Sequence, residues 1–236
     1  VLMLVSIDTS NGKITLFNIS RDSMVDVTMY SAGGAYAGTE KQQICLSYSY
    51  GDGKESSCEN TVNSVQRLFY NIPINTYFSL DLDGISALKD SVGGVDVVSP
   101  ETIGEFVEGE SYHLVGQQAE SFVRTRDTSK TDSNNMRMQR QKVYIQSFMN
   151  TVLQQTKKDL TTPIDLFNAS APYSCTNLNP SKVSYLAQQA VLGGMNGIDV
   201  VSVPGQVTMG SKYAEFNVSE AEFYQLFLSI YYTKIE

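Results

Sequence analysis

The chain has 236 residues, a formal net charge of −8 and an apolar content of 42% with no tryptophan. That length and composition fit one large globular domain and exclude a disordered chain. The acidic body excludes a general nucleic-acid binder, which spreads basic residues over a whole face, and no apolar run reaches the roughly 18–20 residues that span a bilayer.

The first twenty residues, VLMLVSIDTSNGKITLFNIS, predict two strands joined at an Asn11-Gly12 turn. RDSMVDV reads as a loop leaving the second strand, and residues 28–58, rich in Gly, Ser and Tyr, as irregular. ENTVNSVQRLFYNIP predicts a helix, with Val62, Val65, Leu68 and Phe69 on one face and Pro73 beyond its end. TYFSLDLDG predicts a strand. GISALKDSVGG predicts a short helix that buries Ile85, Leu88 and Val92 and ends on Gly93-Gly94. VDVVSP is a strand and VGQQAESFVRTR a helix. A long helix follows from about Asn135 to Lys157, with Ile145, Phe148, Met149, Val152 and Leu153 as its apolar stripe. SKVSYLAQQAVLGG is a helix, IDVVSVPG a strand, and residues 219–232 a final helix. Strands and helices alternate without repeat or linker, which predicts a layered α/β fold in one domain over 1–236.

The three cysteines, Cys45, Cys58 and Cys175, have no CxxC spacing, and with a single His113 they make no metal set. Two readings stand: three buried thiols, or a Cys45–Cys58 disulfide of a secreted domain with Cys175 left over. His113 reads as structural. YGDGKES is no P-loop, because the first glycine would fall at Tyr48 and Glu55 stands where Ser or Thr is required. Glu108 and Glu110 read as a solvated loop and not as a glycosidase pair.

The chemistry concentrates in FVRTRDTSKTDSNNMRMQRQK, residues 122–142. It holds Arg124, Arg126, Arg137 and Arg140, four of the six arginines. This window carries about +4 and the rest of the chain about −12. Focused positive charge suits one small anion. Arg124 and Arg126, two apart, converge only if the chain leaves its helix between them. Arg137 and Arg140, three apart, share the first turns of the next helix, where free N–H groups and the dipole already favour an anion. Guanidinium forks grip phosphate oxygens in pairs. Arg21, at the exit of the strand TLFNIS, is placed where α/β sheets put ligand-binding groups.

NISRDSMVDV, YFSLDLDGISALKDSVGGVDVVSP, YHLVGQQAESFVRTRD and RMQRQ resemble, in order and spacing, the blocks of the LytR-CpsA-Psr family. The resemblance covers nearly all of the chain. It implies a single layered α-β-α domain with a central mixed sheet and an apolar tunnel for a polyprenyl chain. It implies a phosphotransferase that moves a glycopolymer, such as teichoic acid or capsule, from a polyprenyl pyrophosphate carrier to peptidoglycan as a phosphodiester, with Mg2+. The implied setting is the outer face of the cytoplasmic membrane and the cell wall of a Gram-positive bacterium. The membrane anchor and first strand would then lie upstream of residue 1. A non-catalytic polyprenyl-pyrophosphate-binding or regulatory role is the alternative. Carried over, Arg21, Arg124, Arg126, Arg137, Arg140 and Gln141 hold the pyrophosphate. Arg21, Asp22, Arg124, Arg126 and Arg137 carry the transfer, with Asp22 the candidate base.

The chain departs from the family pattern at several points. Asn18 and Ser20 replace a serine and a proline of the first block. Asn134 stands where family members carry a magnesium-binding aspartate, so Asp132 with Asn134 is the expected metal contribution. In QICLSYSYGDG, Gln43 replaces a lysine and Cys45 an asparagine.

Overall fold

The computed structural model describes residues 1–127, 129, 133–192, 198–210 and 213–232, except for the side chains of 82, 86, 87, 89, 90 and 133–135. Strand β1 (Leu2–Asp8) and strand β2 (Lys13–Ile19) pair antiparallel from Leu2↔Ile19 to Asp8↔Lys13. Gly12 closes their turn at φ 68°, a conformation open to glycine, and its N–H donates to the Asp8 carbonyl at 2.7 Å. Ile14, Leu16, Phe17 and Ile19 are all buried, so β2 is covered on both faces and reads as a central strand. It pairs in parallel with β9 (Ile198–Ser202), giving a mixed sheet in the order β1-β2-β9.

The loop expected after β2 is short. Met24–Tyr30 forms strand β3, which pairs antiparallel with β4 (Tyr36–Gln43), inside the stretch read as irregular. The reason is a division of labour. Val25 and Val27 of β3 are buried, while YAGTEKQQ of β4 is largely exposed and carries no apolar alternation to announce a strand. Helix α1 (Leu46–Ser49) follows, then α2 (Glu55–Leu68), which starts earlier than its apolar stripe suggests. The Asp52 carboxylate starts it, accepting from the N–H of Lys54 at 2.8 Å and of Ser57 at 3.4 Å. A Cβ at Gly51 would meet the Ser57 Cα at 2.4 Å, so that turn closes only on glycine.

Strand β5 (Phe78–Leu80) and helix α3 (Leu82–Val92) match their prediction, and Gly93 ends α3 at φ 78°. Strand β6 (Val95–Val98) pairs with an unpredicted strand, β7 (Ser111–Leu114). Helix α4 (Gln117–Arg124) and the long α5 (Ser133–Lys158) flank the arginine window. Then come α6 (Thr162–Ser170), strand β8 (Ser174–Thr176), which pairs with β5, and α7 (Pro180–Leu192). After β9, strands β10 (Gly205–Met209) and β11 (Ala214–Val218) form a hairpin, and α8 (Glu220–Tyr231) closes the described chain. Helix α6, strand β8 and the β10–β11 hairpin carry too little hydrophobic periodicity to be read from sequence.

Three apolar clusters cover the sheet and its flanks. Phe17, Ile19, Val27, Phe69 and Phe223 fill one. Val95, Leu114, Phe106, Phe122 and Tyr144 fill the layer under α4 and α5. Between the β1-β2-β9 sheet and α5 and α7, Ile14, Leu16, Leu153, Ala190 and Ile198 are buried, but Ile7, Ile145, Met149, Val191 and Val200 are only partly so. Among the described residues no helix is long and apolar enough to cross a membrane.

The cysteines do not form the Cys45–Cys58 pair. All are free thiols; Cys45 Sγ lies 3.7 Å from Arg21 Nη2, and Cys58 is buried in α2. Folding sends the two ends of that short loop to different surroundings.

His113 is structural, as read, and its place in β7 says why. Nδ1 lies 2.7 Å from Asp96 Oδ1 on β6, and Nε2 lies 3.0 Å from the Gly93 carbonyl. Both ring nitrogens face oxygens, which suits the doubly protonated ring, and the Asp96 contact followed by the Gly93 contact raises the His113 pKa above 6.5. A raised folded-state pKa means that this contribution is complete below about 6.5, the unfolded value, and fades as pH rises through the folded value. The melting temperature should therefore fall from pH 6 to pH 8 more in the wild type than in Asp96→Asn, as thermal unfolding across that range would show. Equal slopes would remove the switchable pair.

Candidate functional site

Residues 20–23 sit at the carboxyl end of β2, beside the end of β9, where the Val203 N–H donates to the Asn18 carbonyl at 3.0 Å. In open α/β sheets this end receives ligands. The Arg21-Asp22 backbone is fixed from two sides. The Arg21 carbonyl accepts from Cys45 N–H at 3.1 Å, and the Asp22 carbonyl from Phe216 N–H at 2.9 Å. The Asp22 carboxylate lies 3.6 Å from Arg21 Nε. Gln43 Nε2 donates to Asp22 Oδ1 at 3.3 Å and to the Ala214 carbonyl at 2.8 Å, tying that carboxylate to the β10–β11 hairpin.

The arginine window is divided by the end of α4. Thr125 leaves the helix at φ −54°, ψ 136°, so the chain does depart from its helix between Arg124 and Arg126. A helix end leaves carbonyls without partners, and α5 supplies them. Gln141 Nε2 donates to the Val123 carbonyl at 3.2 Å, and Arg140 Nη2 donates to the Thr125 carbonyl. Arg140 is wholly buried, and its Nε lies 2.9 Å from Glu101 Oε1. The angle is too poor for a hydrogen bond, so the contact is an ion pair first.

Arg137, one turn nearer the start of α5, is half-buried. Its pKa is lowered by burial first, then by the charges of Arg126 and Arg21, against an opposing pull from Asp22. Arg21, Arg126 and Arg137 thus share one field, with Asp22 facing it. Arg126 also lines a shallow cavity of ≈ 330 Å³ with Thr102, Ile103, Gly104, Thr125 and Asp127.

Several expectations change. Arg140 is wholly buried and, with the half-buried Gln141, donates to carbonyls at the end of α4, so both hold the backbone next to Arg126. Arg124 is exposed and ion-paired with Glu120 one turn back on α4. Asp132 and the side chain of Asn134 lie outside the described residues. Among the described residues no three His, Cys, Asp or Glu side chains gather as metal ligands.

Sequence reasoning missed Glu101, whose burial against Arg140 has no signal in the polar run ETIGEFVEGE. It named Gln43 only as a departure from the family pattern, and Cys45 as a departure and as a thiol. Those two residues are the ones that touch Asp22 and Arg21.

A guanidinium cluster lies at the carboxyl end of a mixed sheet in a layered α/β protein, and comparison gives its family. The LytR_cpsA_psr family model matches residues 1–228, and the chain belongs to that family. TagV of Bacillus subtilis (strain 168), a polyisoprenyl-teichoic acid–peptidoglycan teichoic acid transferase, is 31% identical over 140 residues, covering 55% of this chain and 32% of TagV. TagU of Enterococcus faecalis (strain ATCC 700802 / V583), named for the same reaction, is 28% identical over 155 residues, covering 64% of this chain and 46% of TagU. The chain thus spans about a third to a half of these relatives. The crystal structure of Bacillus subtilis TagV superposes over 98% of this chain and 89% of its own with a TM-score of 0.72 and 23% identity. TagT bound to LI-WTA superposes over 96% of this chain and 81% of its own with a TM-score of 0.70 and 15% identity. These likenesses establish the layered α/β fold with its mixed sheet.

The division of labour among the arginines is open to test by denaturant unfolding. Removing one partner of a buried ion pair costs about 3–5 kcal/mol, so Arg140→Ala should lose about 3 kcal/mol or more of stability. Arg126→Ala, on an exposed side chain, should stay within about 0.5 kcal/mol. Similar losses in the two variants would contradict the separate roles.

Proposed function

We propose that this chain binds a polyprenyl-diphosphate-linked glycopolymer at Arg21, Arg126 and Arg137 and transfers it to peptidoglycan as a phosphodiester. The observation that carries the reading is the mutual crowding of these three cations around half-buried Arg137. A compact anion with several charges relieves that crowding, and guanidinium forks match its oxygens. The names of the relatives TagU and TagV supply the substrate class, teichoic acid on a polyisoprenyl carrier.

In the transfer, an acceptor hydroxyl attacks the phosphorus bonded to the glycopolymer. A new P–O bond forms, the bond to the bridging oxygen breaks, and polyprenyl monophosphate leaves. Little covalent help is needed; charge must be neutralised on the transferred group and on the leaving group. Arg21, Arg126 and Arg137 do this. Asp22, oriented by Gln43, receives the hydroxyl proton. Arg124, one turn from Glu120, joins when ligand draws it from that exposed pair.

The prenyl chain enters the apolar layer between the sheet and α5 and α7, where Ile7, Met149, Val191 and Val200 are only partly buried. This layer supports the expected tunnel. Magnesium belongs to the reading through Asp132 and Asn134 and would add charge neutralisation at the diphosphate. The described carboxylates do not form a cation site by themselves, and no step is drawn through the metal. The setting is the outer face of a Gram-positive membrane, reached through an N-terminal anchor, as in the family the chain belongs to.

Titration calorimetry with a short-chain polyprenyl diphosphate tests the binding. Arg21→Ala, Arg126→Ala and Arg137→Ala should each weaken it by about 1.5–3 kcal/mol. Met149→Trp should weaken it while leaving inorganic pyrophosphate binding unchanged. Release of polyprenyl monophosphate in the presence of peptidoglycan acceptor tests the transfer, and a chelator should suppress it. Wild-type affinity in the arginine variants would sink the site. Binding without release would leave a carrier-binding protein, and release in excess chelator would remove magnesium.

A further inference from the structure

The outer face of α7 has an unusual composition for a helix that meets water. Ser181, Tyr185, Gln188 and Leu192 recur at helical spacing on its exposed side, with Tyr185 55% and Leu192 72% exposed. A water-facing side is normally charged, and here Lys182 is the one charged residue of the helix. The neutrality extends along the sequence. Residues 166–198 contain no Asp or Glu and no charged residue besides Lys182, in a chain of net charge −8.

The inner side of α7 covers the apolar layer on the sheet. Val191, next to Leu192, is partly buried in that layer with Ile7 of β1, and α7 packs against β1. Val5 of β1 pairs directly with Leu16, so their side chains share one face of the sheet. Leu16 is 1% exposed within the layer, whereas Val5 is 51% exposed. The cover over the layer therefore ends at Val5, on the strand at one edge of the described three-stranded sheet. Strand β1 has no charged side chain before Asp8, its last residue. Exposed apolar groups thus stand on both elements between which the layer opens.

We propose that the outer face of α7 and the adjoining β1 edge rest on a lipid bilayer, with Leu192 and Tyr185 in its interfacial region. Charge argues for this occupant. An anionic membrane surface repels carboxylates, and this stretch has none. Tyrosine suits the boundary, because its ring is apolar and its hydroxyl keeps to water. Continuity argues for it as well. A prenyl chain passing from a bilayer into the layer would travel along Leu192, Val191 and Val5. With a single lysine on the face, the attraction is mainly apolar and therefore only weakly sensitive to salt. The inference rests on the proposed function for the lipid that uses this passage. Vesicles without polyprenyl carrier test the surface by itself, so the surface and the diphosphate site can fail separately.

The chain has no tryptophan, so one introduced indole reports alone. The experiment mixes Leu192→Trp with vesicles of phosphatidylcholine and phosphatidylglycerol in equal parts, at low and at high salt. Tyr36→Trp, at a position 67% exposed on the β3–β4 hairpin, is the control. Emission from Leu192→Trp should shift to the blue, be quenched by brominated acyl chains and keep most of that response in high salt. Tyr36→Trp should show neither change. Adding Tyr185→Asp to Leu192→Trp should weaken partitioning about tenfold. These positions are exposed, so the variants should keep the thermal midpoint of the wild type. No shift in Leu192→Trp, equal responses at positions 192 and 36, a response abolished by salt, or partitioning untouched by Tyr185→Asp would overturn the proposal. So would a blue shift that grows with protein concentration in the absence of vesicles, which would assign the face to a second copy of the chain.

Discussion

Like charge gathered at the end of a strand is the constraint on which the rest of the structure depends. Arg21, Arg126 and Arg137 act on one another at a place that is partly withdrawn from water, where screening is weakest. Asp22 offsets part of that repulsion, and Gln43 holds its carboxylate in place.

Such a cluster needs a rigid backing, and the chain builds one from the same motif. Arg140, three residues after Arg137, points inward to Glu101 and to the Thr125 carbonyl, while Gln141 takes the Val123 carbonyl. One helix start therefore supplies both the half-buried Arg137 and the clip that fixes the neighbouring helix end. Buried charge of this kind is tolerable only when paired, and the buried Glu101 is its partner. Arg137 and Arg140 are neighbours in sequence and separated by depth in the fold.

The elements with strong periodicity were legible: the β1–β2 hairpin, α2, α3, α5, α7 and α8 fall close to their expected places. The β3–β4 hairpin was not, because β4 is a polar strand exposed along most of its length. Strand β7 was missed because its four residues include the exposed Ser111 and His113. The location of the site was legible from charge focusing and from the family motifs. The roles within it were not, since Arg137 and Arg140 share a motif and a helix turn, and only burial distinguishes them. The lack of a Cys45–Cys58 bond was illegible for the same reason: the two are close in sequence, but Cys45 lies against Arg21 while Cys58 is buried in α2.

Thermal unfolding of the wild type and of Arg137→Met, each with and without inorganic pyrophosphate, tests the central claim most directly. Methionine keeps an apolar stem in place of the guanidinium, so it removes the charge with little loss of packing. If crowded cations await an anion, Arg137→Met melts at or above the temperature of the ligand-free wild type, and pyrophosphate raises the wild-type midpoint far more than that of the variant. A variant that melts well below the wild type and gains the same increment from pyrophosphate would contradict the account.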